Sequence, residues 1–205
     1  METDLSGYYT LKKIENIVSM IESGGVGVLP TDTIYGLHCK ALNIDAVEKI
    51  IRVKGRNKEA GLILLMSNVE MVDRYVSHWP GDSRRMLSRI WPARLTALLP
   101  ASDKILPVLR PDMIVAVRIP AADELRSIIS AVGSPLVSTS ANRSGMLPMK
   151  RIADIRRTFP GLGFYISARG RSRTGPSTIV DFSGDKARLV RSGAFPYSEE
   201  GGRKN

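Results

Sequence analysis

Short apolar runs that fit buried strands alternate along this chain with amphipathic stretches that fit helices, and this alternation restricts the fold more than any other feature. Helical periodicity starts at Leu11 and ends at the glycine pair 24–25, and the apolar run 26–29 that follows is stopped by Pro30. Helices are predicted over residues 11–21, 46–53, 69–76, 83–90, 123–131 and 151–158, and strands over 26–29, 62–65, 95–99, 114–118, 136–139, 164–166, 178–182 and 187–190. We therefore predict an α/β fold in which a twisted, mixed sheet is flanked by helices. The prediction is one domain over residues 1–205, with a core over about 11–193 and a flexible tail over 194–205.

The chain is strongly basic, with 30 Lys and Arg residues against 20 Asp and Glu residues and a net charge of +10. Much of the excess lies in residues 143–173, which hold eight basic residues and one acidic residue, Asp154. Such a cluster favours phosphate groups, either free or in a polymer such as tRNA or another RNA. From charge alone, a solvated basic face that only improves solubility explains the cluster equally well.

Cys39 is the only cysteine in the sequence, so no disulfide can form within one chain. The first thirteen residues include acidic side chains and no apolar segment, so we do not expect them to be a signal peptide. No run approaches the roughly 18 apolar residues of a membrane-spanning helix. These features predict a cytoplasmic protein that does not interact with a membrane.

Three polar clusters lie at or near predicted strand ends, where ligands commonly bind in open α/β sheets. The first is PTDTIYGL, residues 30–37, in which Thr31, Asp32 and Thr33 offer oxygen atoms and Gly36 permits a tight bend. The alternative is an N-cap for the segment that follows, because Asp and Thr are good caps.

The second cluster is KGRNKEAGLILL, residues 54–65, in which Lys54, Arg56 and Lys58 lie around a glycine bend ahead of a strand. The GxxxxGK[ST] spacing of a P-loop is absent, but cations at such a bend can still neutralise a polyphosphate. The alternative is that these cations only cap the C-terminus of the preceding helix.

The third cluster is PLVSTSANRSG, residues 135–145, where Ser138 and Ser140 alternate along a strand and therefore face the same side. The GxSxG pattern of a nucleophile elbow is absent, and neither histidine lies in a context typical of a Ser-His pair. The adjacent His38 and Cys39 are too few ligands to predict a metal site. The serines are therefore interpreted as hydrogen-bonding groups, and the alternative is a loop that bonds only its own backbone.

Two arginines end apolar strands, Arg118 in VAVRIP and Arg191 in LVRSG. An arginine at such a position forms either a bidentate pair with a ligand carboxylate or phosphate, or a structural salt bridge. Ser177 and Thr178 add a hydroxyl pair where another strand starts. The stretch 167–177 is rich in Arg and Ser, has few apolar side chains to bury, and is predicted to be a mobile loop.

The motifs PTDTIYGL, KGR, WPARLT, VAVRIP, STSANRSG, PSTIVD and LVRSG, taken in order, resemble those of the YrdC-like family. The resemblance implies a concave α/β sheet that holds ATP and L-threonine side by side. It also implies that threonine, bicarbonate and ATP are converted to threonylcarbamoyl-AMP and pyrophosphate, which starts threonylcarbamoyladenosine formation at tRNA position 37. Mg²⁺ is expected on the phosphates, and downstream tRNA threonylcarbamoyl-transfer proteins are expected partners.

Carried over by motif, the resemblance divides the candidate residues between the two substrates. Lys54 and Arg56 are the expected catalytic residues, because the reaction needs charge neutralisation at the triphosphate. The expected ATP-binding residues are Lys54, Arg56, Ser140, Asn142 and Arg191. The expected threonine-binding residues are Thr33, Arg118, Ser138 and Ser177, and Arg118 is the natural partner of the threonine carboxylate. No protein ligand to a metal is expected.

The chain departs from the family's usual pattern within several motifs. Ala93 and Arg94 replace the Gly-Pro pair that usually follows Trp-Pro, Ala60 stands where Lys or Asn is common, Ala122-Asp123 replaces His-Pro, and Leu147-Pro148 replaces Pro-Ser. The main alternative is therefore an RNA- or nucleotide-binding relative without the adenylation activity. A carbamoyl-transferring role is less favoured because the accessory domains of the larger proteins with that role are missing, and a purely structural module explains the ordered motifs poorly.

Overall fold

The computed structural model describes residues 2–5, 11–55, 62–168, 175–198 and 202–203. Its helices are α1 (Leu11–Glu22), α2 (Ile44–Lys54), α3 (Val69–Asp73), α4 (Ser83–Ile90), α5 (Asp123–Val132) and α6 (Ile152–Thr158), with 3-10 turns at Pro107–Leu109 and Pro111–Met113. Its strands are β1 (Glu2–Leu5), β2 (Gly27–Leu29), β3 (Gly36–Lys40), β4 (Ile63–Leu65), β5 (Leu95–Pro100), β6 (Ile114–Arg118), β7 (Leu136–Ser140), β8 (Phe164–Ala168), β9 (Thr178–Asp181), β10 (Arg188–Arg191), β11 (Tyr197–Ser198) and β12 (Gly202–Arg203).

Within the described ranges, ten strands form one mixed sheet in the order β1-β8-β2-β3-β7-β4-β6-β5-β9-β10. Strands β1 and β8, β8 and β2, β4 and β6, and β5 and β9 are parallel pairs, and the other neighbours are antiparallel. Strands that are far apart in the chain are therefore neighbours in space. The predicted α/β fold with a large mixed sheet and flanking helices is confirmed.

Side-chain alternation gives the centre of the sheet one fully apolar face and one face that carries polar groups. Leu64 of β4 lies in register with Val117 of β6 and Val137 of β7, and all three are completely buried. On the opposite face Ile63 lies in register with Ser138, because successive side chains of a strand point to opposite sides. The sheet therefore supplies the hydrophobic core with one face and a polar site with the other.

Capping residues fix both ends of helix α2. Asn43 starts α2 by accepting a hydrogen bond from the Ala46 backbone N–H at 3.0 Å. Gly55 ends the same helix with φ 61°, a left-handed conformation that glycine adopts without a Cβ penalty. The end of α2 thus brings Lys54 to a defined position beside the sheet.

The structure differs from the predicted elements mainly at PTDTIYGL. Its last two residues, Gly36 and Leu37, belong to strand β3, which pairs with β2 and β7, so the alternative of a helix N-cap is excluded. The helix predicted over 69–76 ends at Asp73, because Val76 forms a bridge with Ala101.

The chain after β10 remains attached to the sheet for several residues. Phe195 exchanges two hydrogen bonds with the Thr178 hydroxyl, and the Ala194 N–H donates to the Pro176 carbonyl at 2.8 Å. Of the stretch predicted to be a mobile loop, Ser167 and Ala168 belong to β8, and 169–174 lie outside the described residues. Among the helices that the structure describes, none is long and apolar enough to span a membrane.

Candidate functional site

A cavity of about 270 Å³ opens on the polar face of the sheet, between the segment after β2, the end of β7 and the start of β9. Hydroxyl, amide and guanidinium groups dominate its wall. The lining residues are Thr31, Thr33, Ile34, Gly36, Ile63, Arg118, Ser138, Thr139, Ser140, Asn142, Met146, Pro148, Pro176, Ser177 and Arg191.

One of the residues that line this cavity, Arg118, belongs to a buried ion pair. Arg118, at the end of β6, lies with its Nη2 3.5 Å from Oδ1 of Asp32, and the two side chains are 4% and 5% exposed. The Nη1 of Arg118 also donates to the Thr33 hydroxyl at 3.1 Å. The Asp32 Oδ2 accepts from the Ala121 N–H at 3.0 Å, so the carboxylate is held from two sides. Arg118 therefore both forms a structural salt bridge and lines the cavity.

The segment after β2 is organised by Thr31. Its hydroxyl donates to the Ile34 carbonyl at 2.7 Å and accepts from the Thr33 N–H at 3.1 Å. These local bonds turn the chain sharply before β3 begins. As a result, Asp32 and Thr33 both reach Arg118 from the same turn.

Lys54 holds the end of β7 in place without lining the cavity itself. This lysine is 2% exposed, and its Nζ donates to the Ser140 carbonyl at 2.5 Å and to the Asn142 Oδ1 at 3.3 Å. The Asn142 amide also donates to the Arg143 and Met146 carbonyls. The loop thus bonds much of its own backbone, yet Ser140 and Asn142 still line the cavity.

The opposite wall is built where β9 begins and β10 ends. Arg191 donates to the Ser177 carbonyl from Nε at 3.2 Å and from Nη2 at 2.8 Å. The Ser177 hydroxyl shares a hydrogen bond of 2.8 Å with the buried Thr96 hydroxyl. Gly193 lets the chain after β10 lie against the backbone of Pro176, because a Cβ at this position would lie 2.4 Å from the Pro176 carbonyl oxygen.

A buried histidine lies beneath the cavity on β3. His38 is completely buried and lies in register with Ser138 of β7. A Cβ on Gly36 would lie 2.6 Å from the His38 Nε2 and 3.2 Å from the Ser138 hydroxyl, so this position requires glycine. Burial, with the nearby Arg118 charge, lowers the pKa of His38 to about 3, and the ring is therefore neutral.

Positive charge predominates around the cavity. Burial lowers the pKa of the Arg118 guanidinium, the Asp32 charge opposes this effect, and the neighbouring Arg191 and Arg94 charges add to it. Burial also lowers the pKa of Arg191. Three guanidinium groups thus lie near one carboxylate, an arrangement that attracts an anionic ligand.

The structure brings together most of the residues predicted from sequence. Those that line this cavity are Thr33, Arg118, Ser138, Ser140, Asn142, Ser177 and Arg191. Lys54 lies behind the wall and contacts Ser140 and Asn142, and Arg56 lies outside the described residues. Their binding roles remain predictions.

Sequence reasoning missed two contacts made by Asp32. Its pairing with Arg118 joins residues of different motifs, and its carbonyl accepts a hydrogen bond of 2.8 Å from the Arg94 Nε. The only signal was the unusual arginine in WPARLT, since partners so far apart in the chain leave no local pattern. In the described part of the chain, no group of three or more His, Cys, Asp or Glu residues could hold a metal ion.

One family model and several curated proteins of known family match this chain over most of its length. The Sua5/YciO/YrdC family model, described as telomere recombination, matches residues 19–193. A threonylcarbamoyl-AMP synthase of Chromobacterium violaceum is 34% identical over 172 residues, which cover 83% of this chain and 88% of that protein. A threonylcarbamoyl-AMP synthase of Thiobacillus denitrificans is 34% identical over 167 residues, which cover 81% of this chain and 89% of that protein.

Solved structures show the same fold. Sua5 of P. abyssi, crystallised in complex with L-threonine, superimposes with a TM-score of 0.90 at 28% identity over 98% of this chain. This chain covers 59% of that longer protein. E. coli YciO matches with a TM-score of 0.82 at 21% identity over 97% of this chain and 96% of its own, a likeness that shows the fold alone. The family match and the relatives above 30% identity show that this chain belongs to the Sua5/YciO/YrdC family.

Proposed function

We propose that this protein is a threonylcarbamoyl-AMP synthase, a nucleotidyltransferase that condenses L-threonine, bicarbonate and ATP to threonylcarbamoyl-AMP and pyrophosphate. One observation carries the proposal: hydroxyl, amide and guanidinium groups from five separate motifs line one cavity of about 270 Å³. The relatives named as threonylcarbamoyl-AMP synthases, which cover more than 80% of this chain, support the same activity.

The proposed chemistry requires positioning and charge neutralisation more than a strong base. The threonine amine and bicarbonate condense to an N-carboxylated threonine with release of water, and the new carboxylate oxygen attacks the α-phosphorus of ATP. The bond between the α-phosphorus and the bridging oxygen breaks, and pyrophosphate leaves with the electron pair. Cations and hydrogen-bond donors that hold both anions at close range lower the barrier to such a step.

On the threonine side, Arg118 is the proposed partner of the substrate carboxylate. Its guanidinium borders the cavity, and its Nε has no hydrogen-bond partner among the described residues. The hydroxyls of Thr33, Ser138 and Ser177 surround it, and such groups suit the substrate's ammonium or hydroxyl group.

On the ATP side, we assign Ser140, Asn142 and Arg191 to the nucleotide. Arg191 carries positive charge at the cavity wall, where it suits a phosphate. Lys54 acts in this proposal by holding Ser140 and Asn142 in place, since its buried ammonium donates to both residues. Arg56, two residues beyond Lys54, is retained as the cation that meets the triphosphate.

Magnesium belongs to the proposal as a companion of the ATP phosphates. The cavity presents hydroxyls, an amide and guanidinium groups, and the nearby Asp32 carboxylate already pairs with Arg118. These groups do not form a direct magnesium site, because Mg²⁺ prefers carboxylate, phosphate and water oxygens. We therefore assign no step to a protein-bound metal.

The product would be consumed by proteins that transfer the threonylcarbamoyl group to tRNA, and a cytoplasmic location belongs to the same proposal. Direct contact with RNA would involve the exposed basic side chains that follow the cavity loop. These are Arg143, Lys150, Arg151 and Arg157.

The experiment incubates purified protein with ATP, bicarbonate, threonine and Mg²⁺ and measures pyrophosphate release. We expect release that depends on threonine and bicarbonate, and a product with the mass of threonylcarbamoyl-AMP. Heat-treated protein and reactions without threonine are the controls. A folded protein that releases no pyrophosphate above these controls would exclude the synthase and favour an RNA- or nucleotide-binding relative.

A further inference from the structure

We propose that Arg94 is a positioning residue for the threonine side of the cavity, and that it acts through Asp32. The inference rests on the proposed function, and it assigns a role to one of the positions at which this chain departs from its family. Arg94 stands immediately before β5, in the sequence WPARLT.

Arg94 joins three separate segments of the chain. Its Nε donates to the Asp32 carbonyl at 2.8 Å across 62 residues of sequence, and its own carbonyl accepts from the Thr178 N–H at 3.0 Å. Its side chain thus ties the turn after β2 to the start of β5, and its backbone carbonyl ties the same point to the start of β9. A hydrogen bond from a charged donor is among the stronger ones in proteins.

The bond from Arg94 completes the restraint on Asp32. The Ala121 N–H holds one carboxylate oxygen at 3.0 Å, the Arg118 guanidinium lies 3.5 Å from the other, and Arg94 holds the carbonyl. Because the Asp32 side chain is 5% exposed, it has little freedom to move alone. The position of its backbone therefore sets where the Arg118 charge and the Thr33 hydroxyl face the cavity.

Charge makes the same arrangement selective for an anion. Arg118 pairs with the Asp32 carboxylate, whereas Arg94 bonds the Asp32 backbone carbonyl, so the second guanidinium adds positive charge beside the pair. Burial lowers the pKa of Arg118, and the Arg191 and Arg94 charges add to this effect, so the loss of Arg94 would change the charge around that guanidinium. A substrate carboxylate supplies the missing negative charge. Loss of Arg94 would weaken this complementarity as well as the restraint on the turn.

The experiment compares Arg94→Met, which keeps much of the side-chain length without a donor, with Arg94→Lys, which keeps a charge and a donor. Arg89→Met on the exposed surface of α4 is the matched control. Pyrophosphate release is measured while threonine and ATP are varied separately, and unfolding is followed by circular dichroism.

For Arg94→Met we expect the KM for threonine to rise about tenfold, equivalent to about 1.4 kcal/mol. The KM for ATP should change less than twofold. Arg94→Lys should recover part of the loss, and Arg89→Met should match the wild type. An unchanged KM for threonine, or an equal rise in both KM values, would overturn the inference.

A second variant separates positioning from a general loss of packing. Asp32→Asn keeps the carbonyl that accepts from Arg94 but removes the carboxylate charge. If Arg94 acts through that carboxylate, Arg94→Met should raise the KM for threonine much less in the Asp32→Asn background. An equal effect in both backgrounds would contradict the inference. A wild-type protein that releases no pyrophosphate would instead refute the proposed function, and this inference with it.

Discussion

Arg118 and Asp32 place opposite charges inside the protein, where neither is well solvated. Each charge is tolerated because the other lies 3.5 Å away and because Thr33 and Ala121 supply further hydrogen bonds. A buried pair of this kind contributes little net stability, but removal of one partner leaves a charge without compensation. A change to either residue should therefore affect both the stability of the fold and the geometry of the cavity.

We expect Arg118→Met to lower the free energy of unfolding by about 3–5 kcal/mol, because the Asp32 carboxylate would remain buried and unpaired. The double variant Arg118→Met/Asp32→Asn should recover most of this stability. It should not recover activity, since about 2–4 kcal/mol of transition-state stabilisation would still be lost. Urea unfolding and pyrophosphate release measure the two effects.

Wild-type stability in Arg118→Met would show that Asp32 does not need its partner. Full activity in the stable double variant would remove Arg118 from the proposed site.

His38 is the second buried ionisable group at the residue scale. Its ring lies next to Gly36 and Ser138 on the cavity face of the sheet, and contacts with the Val137 and Leu29 backbone only partly offset the effect of burial on its pKa. Protonation would place a cation near the buried Arg118 guanidinium. The neutral ring therefore has a packing role beneath the part of the cavity that Ser138 lines.

This burial predicts that acid destabilises the protein. The pKa of His38 is about 3 in the folded protein and near 6.5 when unfolded, so the unfolded chain binds a proton first as the pH falls. Stability should fall by about 1.4 kcal/mol per pH unit below 6.5, and the loss should continue until the pH reaches about 3.

Denaturant unfolding at pH 7 and pH 5 tests this, because carboxylates contribute little in that range. His38→Leu should flatten the dependence, whereas the same change at the exposed His78 should leave it intact. A wild-type stability that is equal at the two pH values would contradict the prediction.

At the scale of elements, the site is assembled from the ends of strands and the turns that follow them. The turn after β2 supplies Thr33, the end of β6 supplies Arg118, and the end of β7 supplies Ser140. Strands β9 and β10 complete the wall, because Arg191 reaches back to the Ser177 carbonyl. Because the groups come from several different elements, the spacing between these elements controls the geometry of the site.

Gly193 allows the chain after β10 to lie against the start of β9, and we expect Gly193→Ala to disturb the site. The added Cβ would lie 2.5 Å from the Ser177 carbonyl carbon, so backbone must move. Overpacking of this kind costs about 1–3 kcal/mol of stability. Activity should also fall, because Ser177 and Arg191 would shift together.

The matched control is Gly184→Ala, where a Cβ would meet no atom within 4 Å. Thermal unfolding and pyrophosphate release are measured for both variants. If both behaved like the wild type, the close approach at Gly193 would not matter to the site.

At the scale of the whole molecule, the net charge of +10 is distributed unevenly along the chain. The exposed side chains Arg143, Lys150 and Arg151 follow the loop that carries Asn142, so they lie near it in the chain. Cations so placed attract a polyanion whether or not the cavity is occupied.

We predict that tRNA binding, measured by fluorescence anisotropy, weakens steeply with salt because bound counterions are released. Neutralising Arg143, Lys150 and Arg151 together as glutamines should weaken binding and reduce the slope against the logarithm of salt concentration by about 2–3. A control that neutralises Arg74, Arg85 and Arg89 changes the net charge equally on another surface. If both triple variants lost the same tRNA affinity, or if binding did not depend on salt, the basic segment would be only a solvated face.

Much of the fold follows from local patterns, because burial selects for them directly. The apolar runs at 26–29, 62–65 and 136–139 each contain a strand, since a short buried run has few other stable forms. Strand β3 was not predicted. Its residues Gly36 and His38 occupy the face where polar and small side chains serve the cavity, so its pattern lacks clear alternation.

The sequence by itself determined the fold class and the polar groups available to a site, because periodicity and residue type are local properties of the chain. Only the tertiary structure decided which of these groups meet. The hydrogen bonds that Arg118 and Arg94 make to the turn after β2 span 85 and 62 residues. Such long-range contacts depend on the order of the strands in the sheet and on the close packing of their ends. Both result from burial of the apolar surface of the whole chain.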